Sequence, residues 1–239
     1  MAFAFSTPPQ TSLAIQGESD RFPVRRIFCI GRNYAAHARE MGNEPTKEAP
    51  FWFCKPADAA FDAGEADEAA ISYPPRTQDL HHEVELTVAI GPHPEGRSGV
   101  DIEPGDALEH VFGYAASIDL TRRDRQSEAK KNGRPWDEAK AFDLSAPMGP
   151  IGRAEVASDL DLQAARIFLA VDGEVRQDAS LGDMISGVPD LIAVLSRSVE
   201  LKPGDLVMTG TPAGVGPVKP GETLRASITG LPDCVVRIG

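Results

Sequence analysis

Two glutamates stand two residues apart in an otherwise apolar segment, DLHHEVELTVAIG at residues 79–91. Because strand side chains alternate between faces, Glu83 and Glu85 point to one side and the aliphatic residues between and after them point to the other. An isolated pair of this kind is typical of the wet face of a half-buried antiparallel strand. The same spacing also lets both carboxylates converge on one cation.

A third acidic residue, Asp119, ends the apolar run VFGYAASIDL just before a polar, helix-like segment. It can serve as a helix cap or turn residue, or as a third metal ligand beside Glu83 and Glu85. Three carboxylates in one place repel one another and take up protons unless a cation holds them. A ligand set made only of oxygen atoms favours Mg²⁺, with Mn²⁺ as an alternative, and disfavours Zn²⁺.

The segment GRNYAAHAREMG places His37 and Glu40 three residues apart, on one face of a predicted helix. A carboxylate bonded to one imidazole nitrogen fixes the tautomer and makes the other nitrogen a better base towards water. The alternative is an exposed histidine beside an exposed glutamate on an amphipathic helix. The pair is therefore a candidate water-activating dyad.

Polar side chains that could bind an anionic substrate are scattered along the chain, and each alone is more typical of a solvated surface group. The glycine-rich loop at 208–218, MTGTPAGVGPV, lacks the ending of a phosphate-binding P-loop. Backbone N–H groups around Thr211 can still bind a carboxylate or oxyanion, and a purely structural turn is the alternative. The candidate anion-binding side chains are Arg32, Asn33, Lys55, Arg123, Gln126 and Lys140.

The amino-acid composition indicates which class of protein the chain belongs to. The 239 residues, 41% of them hydrophobic, suffice for one large domain with an ordinary core. The net charge of -12 argues against nucleic acid or an anionic membrane as the main partner. Three cysteines form no C-x-x-C motif and cannot all pair, which favours a reducing compartment, the cytoplasm. No segment has the pattern of a secretion signal or a membrane span.

Short apolar runs bounded by glycine and proline predict a strand-rich fold, and Asp172-Gly173 predicts a hairpin turn because such turns need positive φ. The predicted strands lie in RRIFCIG, VELTVAIG, VFGYAASIDL, RIFLAVDGEV, DLVMTGT, TLRASITGL and CVVRIG. Helices are predicted at 33–42, 121–133 and 188–199. Excursions from the domain are predicted at 43–50, 91–105 and 131–150, the last as a candidate flap over a site.

The chain resembles the fumarylacetoacetate hydrolase family in an ordered set of motifs: CIGRNYAAHARE, FCKPADA, HHEVELTVAIG, GYAASIDLTRRDRQ, GRPWDEAKAFD, VRQDAS and DLVMTGTPAGVGPV. The match runs from about Val24 to the C-terminus. It implies an α+β, strand-rich fold, a mixed β-sheet roll of the fumarylacetoacetate hydrolase C-terminal-domain type with short helices. It also implies a divalent metal and a homodimer. The expected organisation is an N-terminal extension at 1–23 and a catalytic domain at 24–239.

The resemblance also implies a role for each candidate residue. The metal ligands are expected to be Glu83, Glu85 and Asp119. The catalytic residues are expected to be His37, Glu40 and Lys140, with Lys140 or protonated His37 donating a proton to the product. Substrate binding is expected at Arg32, Asn33, Lys55, Arg123, Gln126 and Thr211.

Within the single-domain branch of the family, RFPVRRIFCIGRNYAAHAREMG followed by PFWFCKPADA looks most like bacterial fumarylpyruvate hydrolases of gentisate degradation. The expected reaction is Mg²⁺-dependent hydrolysis of fumarylpyruvate, a small anionic diketo acid, to fumarate and pyruvate. Acylpyruvate hydrolase, oxaloacetate decarboxylase and isomerase activities are alternatives, as is a catalytically silent metal-binding protein of the same fold. Cys54 and Arg125 depart from common usage in the family and leave the pocket shape open.

Overall fold

The computed structural model describes residues 3–42, 50–64, 69–157 and 159–239, and strands dominate them. The helices are α1 Ala35–Glu40, α2 Arg123–Lys131, α3 Asp137–Lys140 and α4 Val188–Ser196. The strands are β1 Ser12–Ala14, β2 Arg21–Pro23, β3 Arg26–Gly31, β4 Phe51–Lys55, β5 Ala60–Asp62, β6 Ala70–Ile71, β7 Leu80–His82, β8 Val84–Ile90, β9 Val111–Ile118, β10 Thr121–Arg122, β11 Ala146–Met148, β12 Gly152–Arg153, β13 Arg166–Val171, β14 Glu174–Ser180, β15 Asp205–Met208, β16 Gly216–Val218, β17 Thr223–Ile228 and β18 Cys234–Ile238.

Two mixed sheets form the body of the described structure. The larger runs in the order β4-β3-β15-β8-β9-β11-β5, with β12 also paired to β9. Its β3–β15 and β11–β5 pairs are parallel and the others are antiparallel. The second sheet runs β14-β13-β17-β18-β6, and smaller sheets are β10-β7-β16 and β1-β2. The prediction of a strand-rich, mixed-sheet fold with short helices is confirmed.

Strand β8 lies at the centre of the larger sheet, and both of its faces are buried. Its aliphatic face packs against β13 and β17 of the second sheet in the main hydrophobic core. On the opposite face Glu85 and Thr87 are 2% and 1% exposed. The interpretation of a wet strand face is therefore wrong, and the burial of a carboxylate there needs another explanation.

Most predicted elements are present, with shorter helices than the sequence pattern suggests. Each predicted strand run contains a strand, and the three predicted helices correspond to α1, α2 and α4. The hairpin turn is confirmed, since Asp172 and Gly173 have φ of 48° and 86° and Val171 pairs with Glu174. The short strands β4 and β11 and the helix α3 were not predicted.

The predicted excursion at 131–150 is wrong between residues 137 and 148. Helix α3 lies there, and β11 is inserted between β5 and β9 in the larger sheet. The segment 91–105 contains no helix or strand, as predicted. Residues 43–49 of the third predicted excursion lie outside the described residues.

The N-terminal residues pack on the rest of the chain. Leu13 of β1 and Phe22 of β2 are buried in a second hydrophobic cluster with residues of β3 and β15. The domain boundary between residues 23 and 24 remains a prediction. Among the described residues, no helix combines the length and apolar character required to cross a lipid bilayer.

Candidate active site

Three buried carboxylates meet where two neighbouring strands end. Glu83 directly precedes β8, Glu85 lies within it, and Asp119 directly follows β9. Antiparallel pairing of β8 and β9 sets Glu85 opposite Ser117, and the Asp119 N–H donates to the Glu83 carbonyl at 2.8 Å. One ligand oxygen from each carboxylate lies within 4.8 Å of those of the other two.

Cationic side chains compensate two of the three carboxylates. Lys140 Nζ donates to Glu83 Oε2 at 2.8 Å and to Asp119 Oδ2 at 2.7 Å. Arg123 Nη2 donates to the other oxygen of Glu83 at 2.5 Å. Lys55 Nζ lies 2.9 Å from Asp119 Oδ1, at an angle that gives an ion pair but no hydrogen bond. Glu83 and Asp119 thus each have two cationic partners.

Glu85 has no such partner among the described residues. Its carboxylate accepts one hydrogen bond, from the Gly210 N–H at 2.7 Å. Burial, together with the charges of the other two carboxylates, raises the pKa of Glu85 well above its ordinary value. Burial also acts to raise the pKa of Glu83, but its two cationic partners outweigh burial and lower that pKa.

This donor set fits a divalent cation. The three carboxylates supply only hard oxygen ligands, and carboxylate oxygens retain lone pairs beyond the hydrogen bonds they accept here. A cation would also supply the positive charge that buried Glu85 lacks. Glu83, Glu85 and Asp119 are the residues that would hold it.

His37 and Glu40 form the expected hydrogen-bonded pair on α1. His37 Nδ1 lies 3.1 Å from Glu40 Oε2. The Gly214 N–H donates to both oxygens of Glu40, at 3.0 and 3.2 Å, and holds the carboxylate in place. Since a carboxylate accepts, the proton lies on Nδ1, and Nε2 of the neutral ring is free to accept a proton.

One pocket joins the dyad to the carboxylates. It holds about 470 Å³, including the space at its open mouth, and His37 and the three carboxylates line it. Phe51, Phe53 and Trp136 form an aromatic wall, with both phenylalanine rings centred 5.7 Å from the Trp136 ring. The pocket therefore combines an acidic, polar floor with an apolar wall.

Two cationic side chains stand at the rim of this pocket. Arg32 has a left-handed φ of 59°, and its guanidinium lies 5.5 Å from the Phe51 ring centre. Lys130 Nζ lies 5.1 Å from the Trp136 ring centre. Partial burial, together with the charges of Arg123 and Arg32, lowers the pKa of Lys130. Neither rim residue has an acidic partner within the described ranges, so both are available to an anionic group.

The chain matches a known family over most of its length. The model of the family described as fumarylacetoacetate (FAA) hydrolase C-terminal matches residues 26–239. The chain belongs to the fumarylacetoacetate hydrolase family. The strand-rich mixed sheets and few short helices are those of this family's fold.

Individual members of the family carry different activities. The crystal structure of fumarylpyruvate hydrolase from Pseudomonas aeruginosa in complex with Mn²⁺ and pyruvate is 46% identical, with a TM-score of 0.93 over 99% of each chain. A mitochondrial oxaloacetate decarboxylase of Dictyostelium discoideum is 41% identical over 87% of this chain and 90% of its own length. A mitochondrial oxaloacetate tautomerase of Oryza sativa subsp. japonica is 44% identical over 87% of this chain and 86% of its own. These relatives of the chain are enzymes.

The structure brings most of the predicted site residues of this family member together. Glu40 lies beside the pocket and acts on it through His37. The predicted residues that line the pocket are Arg32, His37, Glu83, Glu85, Asp119, Arg123, Gln126, Lys140 and Thr211.

Asn33 and Lys55 do not line the pocket, and their contact with substrate remains a prediction. The Asn33 amide donates to the Ser186 and Thr209 carbonyls at 3.0 and 2.9 Å and accepts from the Ser186 N–H at 2.9 Å. Lys55 lies behind Asp119 and donates to Ser145 Oγ at 2.9 Å and to the Lys140 carbonyl. Both side chains are saturated by the protein, so they position the site from behind.

Lys140 contacts two of the three carboxylates, and its role as a proton donor remains a prediction. Burial acts to lower the pKa of its ammonium group, but the charges of Asp119 and Glu83 outweigh burial and raise that pKa. The ammonium therefore compensates the charge of the two carboxylates.

Lys130 and the aromatic wall were not predicted, although the sequence contains a signal for each. Arg123, Gln126 and Lys130 are spaced i, i+3 and i+7, which places them on one face of α2. Phe51 and Phe53 alternate along β4 and so share a face. Recognising either signal requires knowing that the helix face and the strand face meet at one pocket.

The two unusual residues do not line the pocket. Cys54 lies between Phe53 and Lys55 on the opposite face of β4 and does not line the pocket. The Arg125 guanidinium donates to the Arg76 carbonyl at 2.8 Å, outside the pocket.

Proposed function

We propose that the protein is a metal-dependent hydrolase that cleaves a carbon-carbon bond of a 2,4-diketo acid, with fumarylpyruvate as its substrate and fumarate and pyruvate as products. The observation that carries the proposal is that His37, oriented by Glu40, shares a pocket with three converging carboxylates. A dyad that activates water is needed for hydrolysis and has no use in a protein that only binds a metal.

The proposed cofactor is Mg²⁺, with Mn²⁺ as an alternative, held by Glu83, Glu85 and Asp119. When bound, the cation supplies positive charge that polarises the 2-oxo group of the substrate and stabilises the negative charge of the departing enolate. The Mn²⁺ in the related Pseudomonas aeruginosa structure supports a divalent ion of this kind.

The protein residues supply water activation and proton return. His37 Nε2 takes a proton from water, whose oxygen forms a bond to the distal carbonyl carbon of the substrate. The bond between that carbon and the neighbouring methylene carbon then breaks, and its electron pair leaves with the pyruvate enolate. Protonated His37 returns its proton to the methylene carbon, which completes pyruvate.

Binding of the two substrate ends is divided between the floor and the rim of the pocket. Gln126 and Thr211 lie near the carboxylate cluster and suit the pyruvoyl end. Arg32 and Lys130 at the rim suit the carboxylate at the other end of fumarylpyruvate. The aromatic wall between them suits the apolar carbons of the fumaryl group.

Oxaloacetate is the second candidate substrate, because the relatives from Dictyostelium discoideum and Oryza sativa act on it by name. Decarboxylation of oxaloacetate needs no attacking water. Turnover by that route would depend on the metal and would tolerate loss of His37 far better than hydrolysis does.

The substrate is tested by measuring kcat/KM of the purified protein on fumarylpyruvate, acetylpyruvate and oxaloacetate, each with Mg²⁺ and with a chelator. A chelator-sensitive preference for fumarylpyruvate is expected. Preference for oxaloacetate or acetylpyruvate would show that this keto acid, and not fumarylpyruvate, is the substrate. Inactivity on all three despite bound Mg²⁺ would contradict the proposed function.

A further inference from the structure

Gln177 is a fully buried polar residue in a strand whose other side chains are mostly exposed. It lies on β14, at the edge of the second sheet, and is 0% exposed. A register shift beside it leaves Gln177 opposite Leu169 and Val175 opposite Ala170. An amide buried at a strand irregularity is costly unless its hydrogen bonds are made, so its partners indicate its role.

The partners of Gln177 determine which way its amide points. The Val84 N–H can only donate, and it lies 2.9 Å from Oε1. The Pro212 carbonyl can only accept, and it lies 2.9 Å from Nε2. The same orientation makes Oε1 accept from His82 Nδ1 at 3.0 Å and makes Nε2 donate to Thr211 Oγ1 at 2.8 Å. All four hydrogen-bonding positions of the amide are thus filled.

The bond to Thr211 fixes the polarity of a hydroxyl in the pocket. Because Nε2 of Gln177 donates, Thr211 Oγ1 accepts, and the hydroxyl hydrogen must point elsewhere. Within the described part of the chain, this is the only hydrogen bond of the Thr211 hydroxyl. Thr211 lines the pocket, so its hydrogen remains available to an acceptor there.

We infer that Gln177 is a positioning residue that makes the Thr211 hydroxyl an obligate hydrogen-bond donor to a carboxylate or carbonyl oxygen of the substrate. The inference rests on the proposed function and identifies a residue that acts without touching substrate. The same amide binds Val84, between Glu83 and Glu85. The Gln177 side chain therefore fixes the position of the Thr211 hydroxyl relative to the three carboxylates.

The test is a double-mutant cycle on ligand binding. Gln177→Glu keeps the side-chain shape but replaces the donating amide Nε2 by an accepting oxygen, so the Thr211 hydroxyl then donates to residue 177 and no longer to the substrate. Thr211→Val removes the hydroxyl at nearly equal volume. The dissociation constant of pyruvate is measured by calorimetry at saturating Mg²⁺ for the wild type, both single variants and the double variant. Gln163→Glu, at an exposed position, is the control for added charge.

Thr211→Val is expected to weaken pyruvate binding about tenfold, the effect of one hydrogen bond to a charged group. Gln177→Glu is expected to weaken it about tenfold more in the wild type than in the Thr211→Val background. The introduced charge repels pyruvate in both backgrounds, so its contribution cancels in this comparison. Equal losses in both backgrounds, or an unchanged dissociation constant in Thr211→Val, would overturn the inference.

If Gln177→Glu does not fold, Gln177→Met replaces it in the same cycle, with an expected difference between backgrounds of at least about threefold. Equal losses there would also overturn the inference. Failure of the proposed function gives a different result, namely a wild type that turns over no diketo acid while the cycle on pyruvate still shows coupling.

Discussion

At the scale of single residues, Glu85 differs from Glu83 and Asp119 in what compensates its charge. Lysine and arginine side chains contact the other two carboxylates, whereas Glu85 receives one backbone N–H. Sequence spacing could identify all three acids, because alternation along a strand is a local property. It could not show that Asn33 and Lys55 face the protein, since their partners Ser186 and Ser145 are far away in the chain.

The raised pKa of Glu85 predicts a pH-dependent effect of metal on stability. Below the ordinary pKa of 4.5, Glu85 is protonated in both the folded and the unfolded state. The stabilising contribution of its raised pKa to the free energy of unfolding is then fully present. That contribution is lost as pH rises through the raised pKa of the folded state. A cation needs the ionised form, so its stabilising effect should grow over the same interval.

The measurement for Glu85 is the rise in melting temperature on adding Mg²⁺, followed from about pH 5 to about pH 8. The rise should become larger with pH in the wild type and lose most of this dependence in Glu85→Gln. An equally steep dependence in Glu85→Gln would show that another group binds the proton.

Lys130 predicts selectivity for a substrate with a distal carboxylate. Lys130→Gln should raise KM for fumarylpyruvate about tenfold and leave kcat nearly unchanged, because a charge-assisted contact made equally in ground and transition states is lost. Acetylpyruvate, which lacks the distal carboxylate, should be unaffected. The adjacent Lys131→Gln, which lies outside the pocket, is the matched control. Equal effects of Lys130→Gln on both substrates would show that the lysine does not bind the distal carboxylate.

At the scale of elements, the segment from Thr209 to Gly214 connects the parts of the site. Its backbone N–H groups bind Glu85 and Glu40, and its Thr211 hydroxyl binds Gln177. Strands β8 and β9 could be predicted from sequence because each is a run of seven or eight mostly apolar residues, which is a local pattern. The three-residue strand β11 and the four-residue helix α3 could not, because pairing with distant β5 and β9 and contacts with distant carboxylates hold them.

The close packing around Gly214 predicts that this segment keeps its conformation only with a glycine at that position. Gly214 and Gly221 both have φ of +94°, but a Cβ at Gly214 would lie 2.2 Å from the Arg176 carbonyl oxygen, whereas one at Gly221 would meet nothing within 4 Å. Gly221→Ala should cost only left-handed strain, about 1–2 kcal/mol. Gly214→Ala should cost more and also lower kcat, because the backbone shift that relieves the contact with Arg176 moves the N–H of residue 214 away from Glu40.

Thermal unfolding and steady-state kinetics of the two alanine variants check this prediction. One kcal/mol corresponds to about 2–4 °C in a domain of this size. Equal melting temperatures with equal kcat for Gly214→Ala and Gly221→Ala would mean that the contact with Arg176 relaxes freely.

At the scale of the whole molecule, the two mixed sheets bury a central strand that carries a carboxylate, and the proposed metal site accounts for this exception to ordinary burial. Composition alone indicated a domain with an ordinary core, and the net charge argued against nucleic acid as the main partner. The ordered motifs identified the family because they extend over nearly the whole chain, and the family model matches the same region. Substrate identity does not follow from composition, because relatives of similar identity act on different keto acids.

A homodimer remains a proposal at this scale, and the net charge makes it testable. Light scattering after size exclusion should give twice the 25.5 kDa chain mass near physiological salt. Two subunits that each carry a charge of -12 repel, so the dimer should weaken as ionic strength falls and screening is lost. A monomer at all salt concentrations would contradict the proposal.

The central claim is that His37, held by Glu40 beside a divalent cation, activates water to cleave fumarylpyruvate. The direct measurement is kcat/KM on fumarylpyruvate for the wild type and His37→Ala at saturating Mg²⁺, with Mg²⁺ affinity determined for both proteins. We expect an active wild type and a His37→Ala variant that binds Mg²⁺ equally well but is slower by about 10² to 10⁴. An inactive wild type, or a His37→Ala variant that retains wild-type kcat/KM, would contradict it.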